Sequence, residues 1–241
     1  MPISASVERA PYAPVRQVLR ALTTVARVSS GRPLPAPGPE ATGRPTRAAA
    51  LSSLLAPVLL VAGWLYAVTL HPGFDPVRQP LSDLTAANAL NRWVMTVVLG
   101  FVGACHVVTA IGLRAADPTG RWLLAVGGVS LVVLVLIPNR TVGSYYLVHT
   151  YWSALTFGFL ALWPTTSARF GDAVPWPLRL RVGLSSSLVT FLLIFVTALG
   201  IITESDTLGL RESAVYLWTT VWPLAVVAGL LTAPIGPTSA H

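Results

Sequence analysis

The chain has 241 residues, of which 54% are hydrophobic and only 10% are charged. Because soluble domains carry about 25% charged residues, this composition excludes an ordinary water-soluble domain and favours a protein solvated by lipid. The formal charge of +7 comes from arginines that lie mainly at the ends of apolar runs, as membrane-orientation signals do, and no nucleic-acid partner is predicted.

Residues 1–46 form a basic, Pro-rich segment ahead of the apolar runs. They lack an apolar core followed by small residues, so a signal peptide is not expected. Residues 15–28 show helical periodicity, with Arg16, Arg20 and Arg27 opposite the apolar side. Two interpretations stay open: an amphipathic helix that binds anionic lipid headgroups, or a mostly disordered tail with an accidental pattern.

Six apolar runs follow and predict six transmembrane helices. Most reach the roughly 20 residues that a helix needs to cross about 30 Å of hydrocarbon, and Pro223 in the last run predicts a kink. Segments in lipid must satisfy their own backbone hydrogen bonds, so helices are predicted and not strands. The fold class is therefore an all-α integral membrane bundle over residues 47–235, with a short tail at 236–241 and runs at 47–70, 92–113, 121–138, 145–164, 182–203 and 212–233.

Arginines are unequally distributed between the two sides of this bundle. The tail and six further arginines lie on one side, whereas the other side has only Arg78, Arg92, Arg140 and Arg211. By the positive-inside rule, both termini are predicted to be cytoplasmic in a multi-pass protein of the cell membrane. The connections at 71–91 and 204–211 then face outward, and both are acidic.

The connection at 71–91 is unusually polar for this chain, and it has two interpretations. In the structural one, Ser82 caps a short helix that runs into the second span, Asp83 favours its positive end, and Asp75 and Arg78 form an ion pair within the loop. In the functional one, the polar groups of the loop, including Asn88, converge in one outward cavity with other groups at that level of the membrane: His71, Arg140, His149, Glu204, Asp206 and Glu212.

Histidines offer few conventional sites. His71 and His149 could share a metal ion with an outer carboxylate, but the chain has one cysteine, Cys105, and none of the usual metal-ligand spacings, so no metal or cofactor is predicted. His106 is the deepest titratable group and lies beside Gly103 and Ala104, which favour close helix packing. It is either hydrogen-bonded within the bundle or functional.

The first loop supports a resemblance. The stretch HPGFDPVRQPLSDLTA, followed by Asn88 and Trp93, resembles the bacterial membrane family known as domain of unknown function 998, and LVHTYWSALTF around His149 is similar to another element of that family. The resemblance covers about residues 50–235 and carries no assigned activity. It implies that Asp75, Ser82, Asp83 and His149 belong together. The Ser-Asp element is more distantly similar to the FRAG/DRAM/Sfk membrane group, parts of which are associated with lipid handling.

Three functional hypotheses remain open. The first is a protein with an outward polar pocket that binds or processes a membrane lipid or isoprenoid-type small molecule, with a binding set of Arg78, Ser82, Asn88, Arg140, Trp152 and Trp218. The second is an enzyme, such as a terpene-cyclase-like protein, in which a carboxylic acid acts as general acid or base. The third is a non-catalytic transporter or a scaffold that docks through its basic tail.

For the enzyme, the candidate catalytic residues are Asp75, Asp83 and Glu212, with His149 as partner. Cyclases stabilise cations with aromatic rings, and the chain offers a set of aromatic residues near the predicted membrane boundaries. These residues have an alternative interpretation as ordinary interfacial aromatics: Tyr145, Tyr146, Trp152, Tyr216, Trp218 and Trp222.

Overall fold

The computed structural model describes residues 43–143, 145–171 and 174–233. Within these ranges the chain forms six α-helices: α1 (Arg47–Thr69), α2 (Trp93–Gly112), α3 (Pro118–Leu134), α4 (Leu147–Thr166), α5 (Leu180–Ile202) and α6 (Leu208–Thr232). The described part contains no β-strand, only an isolated bridge between Arg169 and Arg179. The predicted amphipathic helix at 15–28 and the tail at 236–241 lie outside the described residues.

The predicted all-helical architecture is confirmed, and four of the helices have the length and hydropathy needed to cross a membrane. These are α1, α2, α5 and α6. Among the described helices, α3 is apolar but has only 17 residues, and α4 has 20 residues but is not among the four. The coarse prediction of an apolar helical bundle therefore holds, whereas six spans stay a prediction.

Each helix packs against the next in the chain, and α6 also packs against α1, which closes a ring. Close approach depends on small residues. A Cβ added to Gly103 of α2 would lie 2.5 Å from the carbonyl oxygen of Gly128 in α3, and the reverse substitution gives the same distance. The predicted close packing around Gly103 is therefore confirmed.

The connections define two ends of the bundle. We call the end formed by connections 70–92, 135–146 and 203–207 the loop end. We call the opposite end, formed by connections 113–117 and 167–179 and the start of α1, the arginine end. At the arginine end, helix starts carry conventional caps: the Thr46 hydroxyl accepts a hydrogen bond from Ala49 N–H, and Asp117 accepts one from Thr119 N–H.

The loop at 71–91 differs from its prediction in two respects. A 3-10 helix covers Leu81–Thr85, but residues 86–92 separate it from α2, so it does not run into the second span. Ser82 is not a cap: the N-cap position is Pro80, and no side chain caps this turn. The reason is tertiary, because the Ser82 N–H donates to a carboxylate distant in sequence. Pro223 lies inside an uninterrupted α6.

Candidate functional site

The loop at 71–91 folds onto the first turn of α6. The Glu212 carboxylate accepts a hydrogen bond from Ser82 N–H at 2.9 Å. The backbone N–H groups of Gly209 and Leu210 donate to the carbonyl oxygens of Arg78 and Val77 at 3.3 and 3.1 Å. The first N–H groups of a helix have no partner within the helix, so the loop supplies the acceptors that α6 lacks.

Glycine is required at position 209 by this contact. A Cβ added there would meet the backbone carbonyl oxygen of Gln79 and would lie 2.6 Å from that of Pro76. The loop backbone therefore lies directly on the start of α6, which brings Ser82 next to Glu212.

The other side of the loop is held by the connection at 135–146. The Asp83 carboxylate accepts from Gly143 N–H at 3.0 Å, and the Asn88 side-chain oxygen accepts from Val142 N–H at 2.8 Å. A third hydrogen bond joins the same two connections: the Asn139 backbone oxygen accepts from Ala87 N–H at 2.8 Å. Asp83 and Asn88 therefore hold two connections of the loop end together.

Asp83 is 3% exposed, and burial raises the pKa of its carboxyl group, while the hydrogen bond from Gly143 lowers it. Burial also raises the pKa of Tyr145, and the charges of Asp83, Glu212 and Glu204 raise it further. Tyr145 thus lies within electrostatic reach of several acids of the loop end.

A cavity of about 150 Å³ lies between α4, α5 and α6, below these loops. Its lining has two chemically different parts. The polar part consists mainly of Ser82, Asn139, Tyr145, His149, Ser153 and Glu212, whereas the apolar part includes Phe157, Ile194, Ile201, Leu208 and Val215. The cavity is therefore amphipathic, because it combines hydrogen-bonding groups, several of them from the loops, with hydrocarbon side chains of the helices.

His149 is oriented by its own hydrogen bond. Its Nδ1 lies 2.6 Å from the carbonyl oxygen of Ile137, and since a carbonyl only accepts, Nδ1 carries the proton. In the neutral ring Nε2 is then an acceptor. The Ser153 hydroxyl donates to the His149 carbonyl at 2.8 Å. Together with Glu212, the cavity offers groups that can bind a hydroxyl of a small molecule.

Of the ten predicted site residues, Ser82, His149 and Glu212 line this cavity and the other seven do not. Asp83 and Asn88 hold the loops together, as described above. Asp75 and Arg78 form the predicted ion pair at 3.6 Å, with Asp206 3.8 Å from the same Arg78 nitrogen, on an exposed surface. The predicted group of Asp75, Ser82, Asp83 and His149 is therefore divided between surface and cavity.

The three remaining predicted residues have other partners. The guanidinium of Arg140 lies 4.9 Å from the centre of the Tyr146 ring. The indole N–H of Trp152 donates to the Ser130 carbonyl at 3.0 Å, and that of Trp218 donates to the Thr190 hydroxyl at 3.1 Å. None of the three lines the cavity.

Several cavity residues were not among the predicted site residues: Asn139, Tyr145, Thr150, Ser153 and Thr197. Ser153 had a usable signal, because it lies four residues after His149 and therefore on the same helix face. Tyr145 entered only as a possible aromatic lining. Thr197 lies inside a long apolar run, where sequence pattern alone gives no reason to select it.

The other two histidines considered in the sequence, His71 and His106, lie apart from the cavity. His71 Nδ1 lies 3.0 Å from the Ala67 carbonyl, while His106 is buried in α2 with neither ring nitrogen paired. Within the described ranges, no group of three or more His, Cys, Asp or Glu side chains is placed to hold a metal ion.

An all-helical bundle with four apolar helices of spanning length defines a membrane protein. A model of the family described as "Protein of unknown function (DUF998)" matches residues 54–229, and the chain belongs to this family. No curated protein matches the chain, and no solved structure does. The more distant resemblance to the FRAG/DRAM/Sfk group gains no support from these comparisons.

Proposed function

We propose that the protein binds the polar head of a lipid or isoprenoid-type amphipathic molecule in the cavity at the loop end. The observation that carries this proposal is that one lining combines hydrogen-bonding groups, several of them from the loops, with hydrocarbon side chains of the helices. Ligand pockets typically combine an apolar lining with a few convergent polar groups. An alcohol or a similar uncharged head suits Glu212, His149 and Ser153.

The position of the cavity supports a ligand that arrives from the bilayer. One of its walls is α5. Only 22% of the apolar stretch of α5 is buried inside the protein, compared with 50% for α6. A poorly buried apolar helix contacts lipid. An apolar chain attached to the bound head can therefore extend along α5 without entering water.

The binding proposal is tested by mass spectrometry of lipids that the full chain retains after purification in mild detergent, with added farnesol as the isoprenoid probe. Ala198→Phe fills the cavity and should abolish farnesol retention, whereas Ala228→Phe, at an exposed position of α6 outside the cavity, should not. Equal retention by the two variants would refute the proposal.

A membrane-embedded enzyme is the second candidate function, favoured by the presence of Glu212 and His149 in one cavity. The carboxyl group would protonate an epoxide or olefin, His149 Nε2 would accept a proton from the cyclised cation to give the neutral isomer, and that proton would return to the carboxylate before the next turnover. Of the six candidate aromatic residues, only Tyr145 is among the side chains that line this cavity. The cyclase form therefore has less support than binding alone.

The enzyme is tested with epoxyfarnesol, whose cyclisation gives an isomer of unchanged mass and altered chromatographic retention. Catalysis predicts that the wild type forms this isomer and that Glu212→Gln does not, while Glu204→Gln, at an exposed loop position, stays active. Absence of the isomer with wild-type protein that retains the probe would favour a binding protein.

The proposal places the protein in the cell membrane with several spans and cytoplasmic termini. The arginine asymmetry supports this orientation. Reporter fusions to the C-terminus would test it, because a cytoplasmic fluorescent protein should fold there and a periplasmic phosphatase should stay inactive. Contact between the tail at 1–46 and anionic headgroups, or a scaffold role of that tail, would be tested by deleting the tail.

A further inference from the structure

A second depression lies at the arginine end, between α5 and α6. This groove has a volume of about 360 Å³, and its floor and walls are mainly indole rings and small side chains of the two helices. It shares no lining residue with the cavity at the loop end. The residues that matter here are Trp176, Arg181, Ser185, Ser186, Trp218 and Trp222.

Two hydrogen-bonding groups of this groove have no partner within the described residues. They are the hydroxyl of Ser186, which is only 2% exposed, and the indole N–H of Trp222. Buried polar groups without partners are rare in folded proteins and are costly. An indole N–H can only donate and a serine hydroxyl can donate, so one molecule with acceptor oxygens would satisfy both.

The rim of the groove carries positive charge. Arg181 is exposed, and within the described ranges no ion pair or hydrogen bond engages its guanidinium. Helix α5 begins one residue earlier, at Leu180, and has no side-chain cap, so its positive dipole end adds to the field at this rim. The rim therefore favours an anion.

The groove also has the length and apolarity for a lipid chain. Arg181 and Val189 both line it, and eight residues of α-helix cover about 12 Å along the axis. Trp218 and Trp222 stack with ring centres 5.7 Å apart and provide an apolar wall beyond the arginine. Charge lies at one end and hydrocarbon at the other.

We propose that this groove binds an anionic phospholipid. The phosphate pairs with Arg181, the ester oxygens accept hydrogen bonds from Ser186 and Trp222, and one acyl chain lies beside Trp218 and Val189. Anionic lipids are abundant in the cytoplasmic leaflet, which is the side where the arginine asymmetry places this end. The site is independent of the proposed ligand at the loop end.

Native mass spectrometry of the full chain with added phosphatidylglycerol or phosphatidylcholine, matched in acyl chains, tests the charge. Arg181→Gln should weaken phosphatidylglycerol binding about fivefold and phosphatidylcholine binding much less, because the choline cation offsets the charge of that lipid's phosphate. Arg114→Gln removes an exposed arginine from the same end and serves as the matched control. Equal loss in the two variants, or equal binding of the two lipids by wild type, would overturn the proposal.

The hydroxyl is tested separately by Ser186→Ala. Both lipids have ester oxygens, so this variant should weaken both by a similar factor, whereas Arg181→Gln should weaken mainly the binding of the anionic lipid. Unchanged binding of both lipids by Ser186→Ala would contradict the assigned contact. Because Ser186→Ala removes an unpaired buried hydroxyl, its thermal stability should equal or exceed that of the wild type, which keeps the comparison valid.

Discussion

The two ends of the bundle satisfy their helix termini in opposite ways. At the arginine end, Arg121 donates to the last carbonyls of α2, Ala110 and Ile111, at 2.9 and 3.0 Å. At the loop end, backbone carbonyls of the connection at 71–91 accept from the first N–H groups of α6. Cationic side chains thus complete one end, whereas a folded loop and buried acids complete the other, and the amphipathic cavity lies beneath that loop.

The two ends also differ in which polar side chains are already engaged by the protein and which can still bind a ligand. The Arg169 guanidinium is engaged at its own end by Ala115, Ala116 and Asp117. At the loop end, the Glu212 and His149 side chains keep part of their hydrogen-bonding capacity while lining a cavity. We therefore expect the cavity residues at the loop end to affect binding of its ligand, and the engaged arginines at the other end, Arg121 and Arg169, to affect only stability.

Gly209→Ala should produce the largest effect. The new methyl group would press on the carbonyls of Gln79 and Pro76, and overpacking of this type costs about 3 kcal/mol. Thermal unfolding in detergent would measure it. Gly100→Ala in α2 is the matched control: a Cβ there meets nothing within 4 Å, so its free energy of unfolding should stay equal or rise. Similar behaviour of the two variants would show that the loop does not rest on α6.

Glu212→Ala should come next. It leaves the buried Ser82 N–H without its acceptor, at a cost of about 2 kcal/mol. The same unfolding measurement applies, and Glu204→Ala, an exposed acid of the same end, should stay within about 0.5 kcal/mol of the wild type. Equal stability of both variants would mean that Glu212 does not anchor the loop.

Arg121→Ala tests whether an arginine stabilises the arginine end more than an arginine stabilises the loop end. It removes two charge-assisted hydrogen bonds to the end of α2 and should lower the free energy of unfolding by about 1.5 kcal/mol. Arg78→Ala is its counterpart at the loop end. Arg78 forms only exposed ion pairs, so the change should be below about 0.5 kcal/mol. A larger loss for Arg78→Ala would reverse this assignment.

The smallest expected effect is a change in pH dependence. Burial raises the pKa of Asp83 in the folded chain, so the native state holds this proton more tightly than the unfolded state does. Stability from this group is present at low pH and falls as pH rises from the ordinary aspartate pKa through the raised one. Asp83→Asn keeps an oxygen for Gly143 and should lose this fall.

Melting temperatures of the wild type and Asp83→Asn, measured across that pH range, would check this sign. The difference between them should move in favour of the asparagine variant as pH rises. A difference that is constant with pH would show that Asp83 titrates as an exposed carboxyl group. Asp75→Asn, on the exposed surface ion pair, is the control.

The helices could be predicted from the sequence because the length of an apolar run determines whether it can cross a membrane. The small differences between predicted and observed helix starts have local causes. The third run was predicted to start at 121, but α3 starts at Pro118 because Asp117 caps it. The sixth was predicted to start at 212, but α6 starts at Leu208. Two polar residues near the start of the helix have partners: Glu212 accepts from Ser82 N–H of the loop at 71–91, and Arg211 donates to Thr207 and to the Val196 carbonyl of α5.

The site was less accessible, because its decisive contact joins Ser82 and Glu212 across 130 residues. Periodicity cannot report such a pair, and Ser82 followed by Asp83 gave the local pattern of a helix cap. The convergence of Ser82, His149 and Glu212 followed from placing their helix ends on one side of the bundle. Which of the loop's polar groups turn outward, as Asp75 and Arg78 do, depends on packing.

The most direct test of the central claim is thiol labelling in the cavity. The natural Cys105 is buried and is replaced by alanine, and Ser153→Cys then places a thiol in the cavity lining. A small maleimide should label it, and farnesol should slow labelling severalfold, while Asp206→Cys, at an exposed loop position, is labelled at the same rate with or without farnesol. A Ser153→Cys labelling rate that farnesol leaves unchanged would contradict an amphiphile-binding cavity at the loop end.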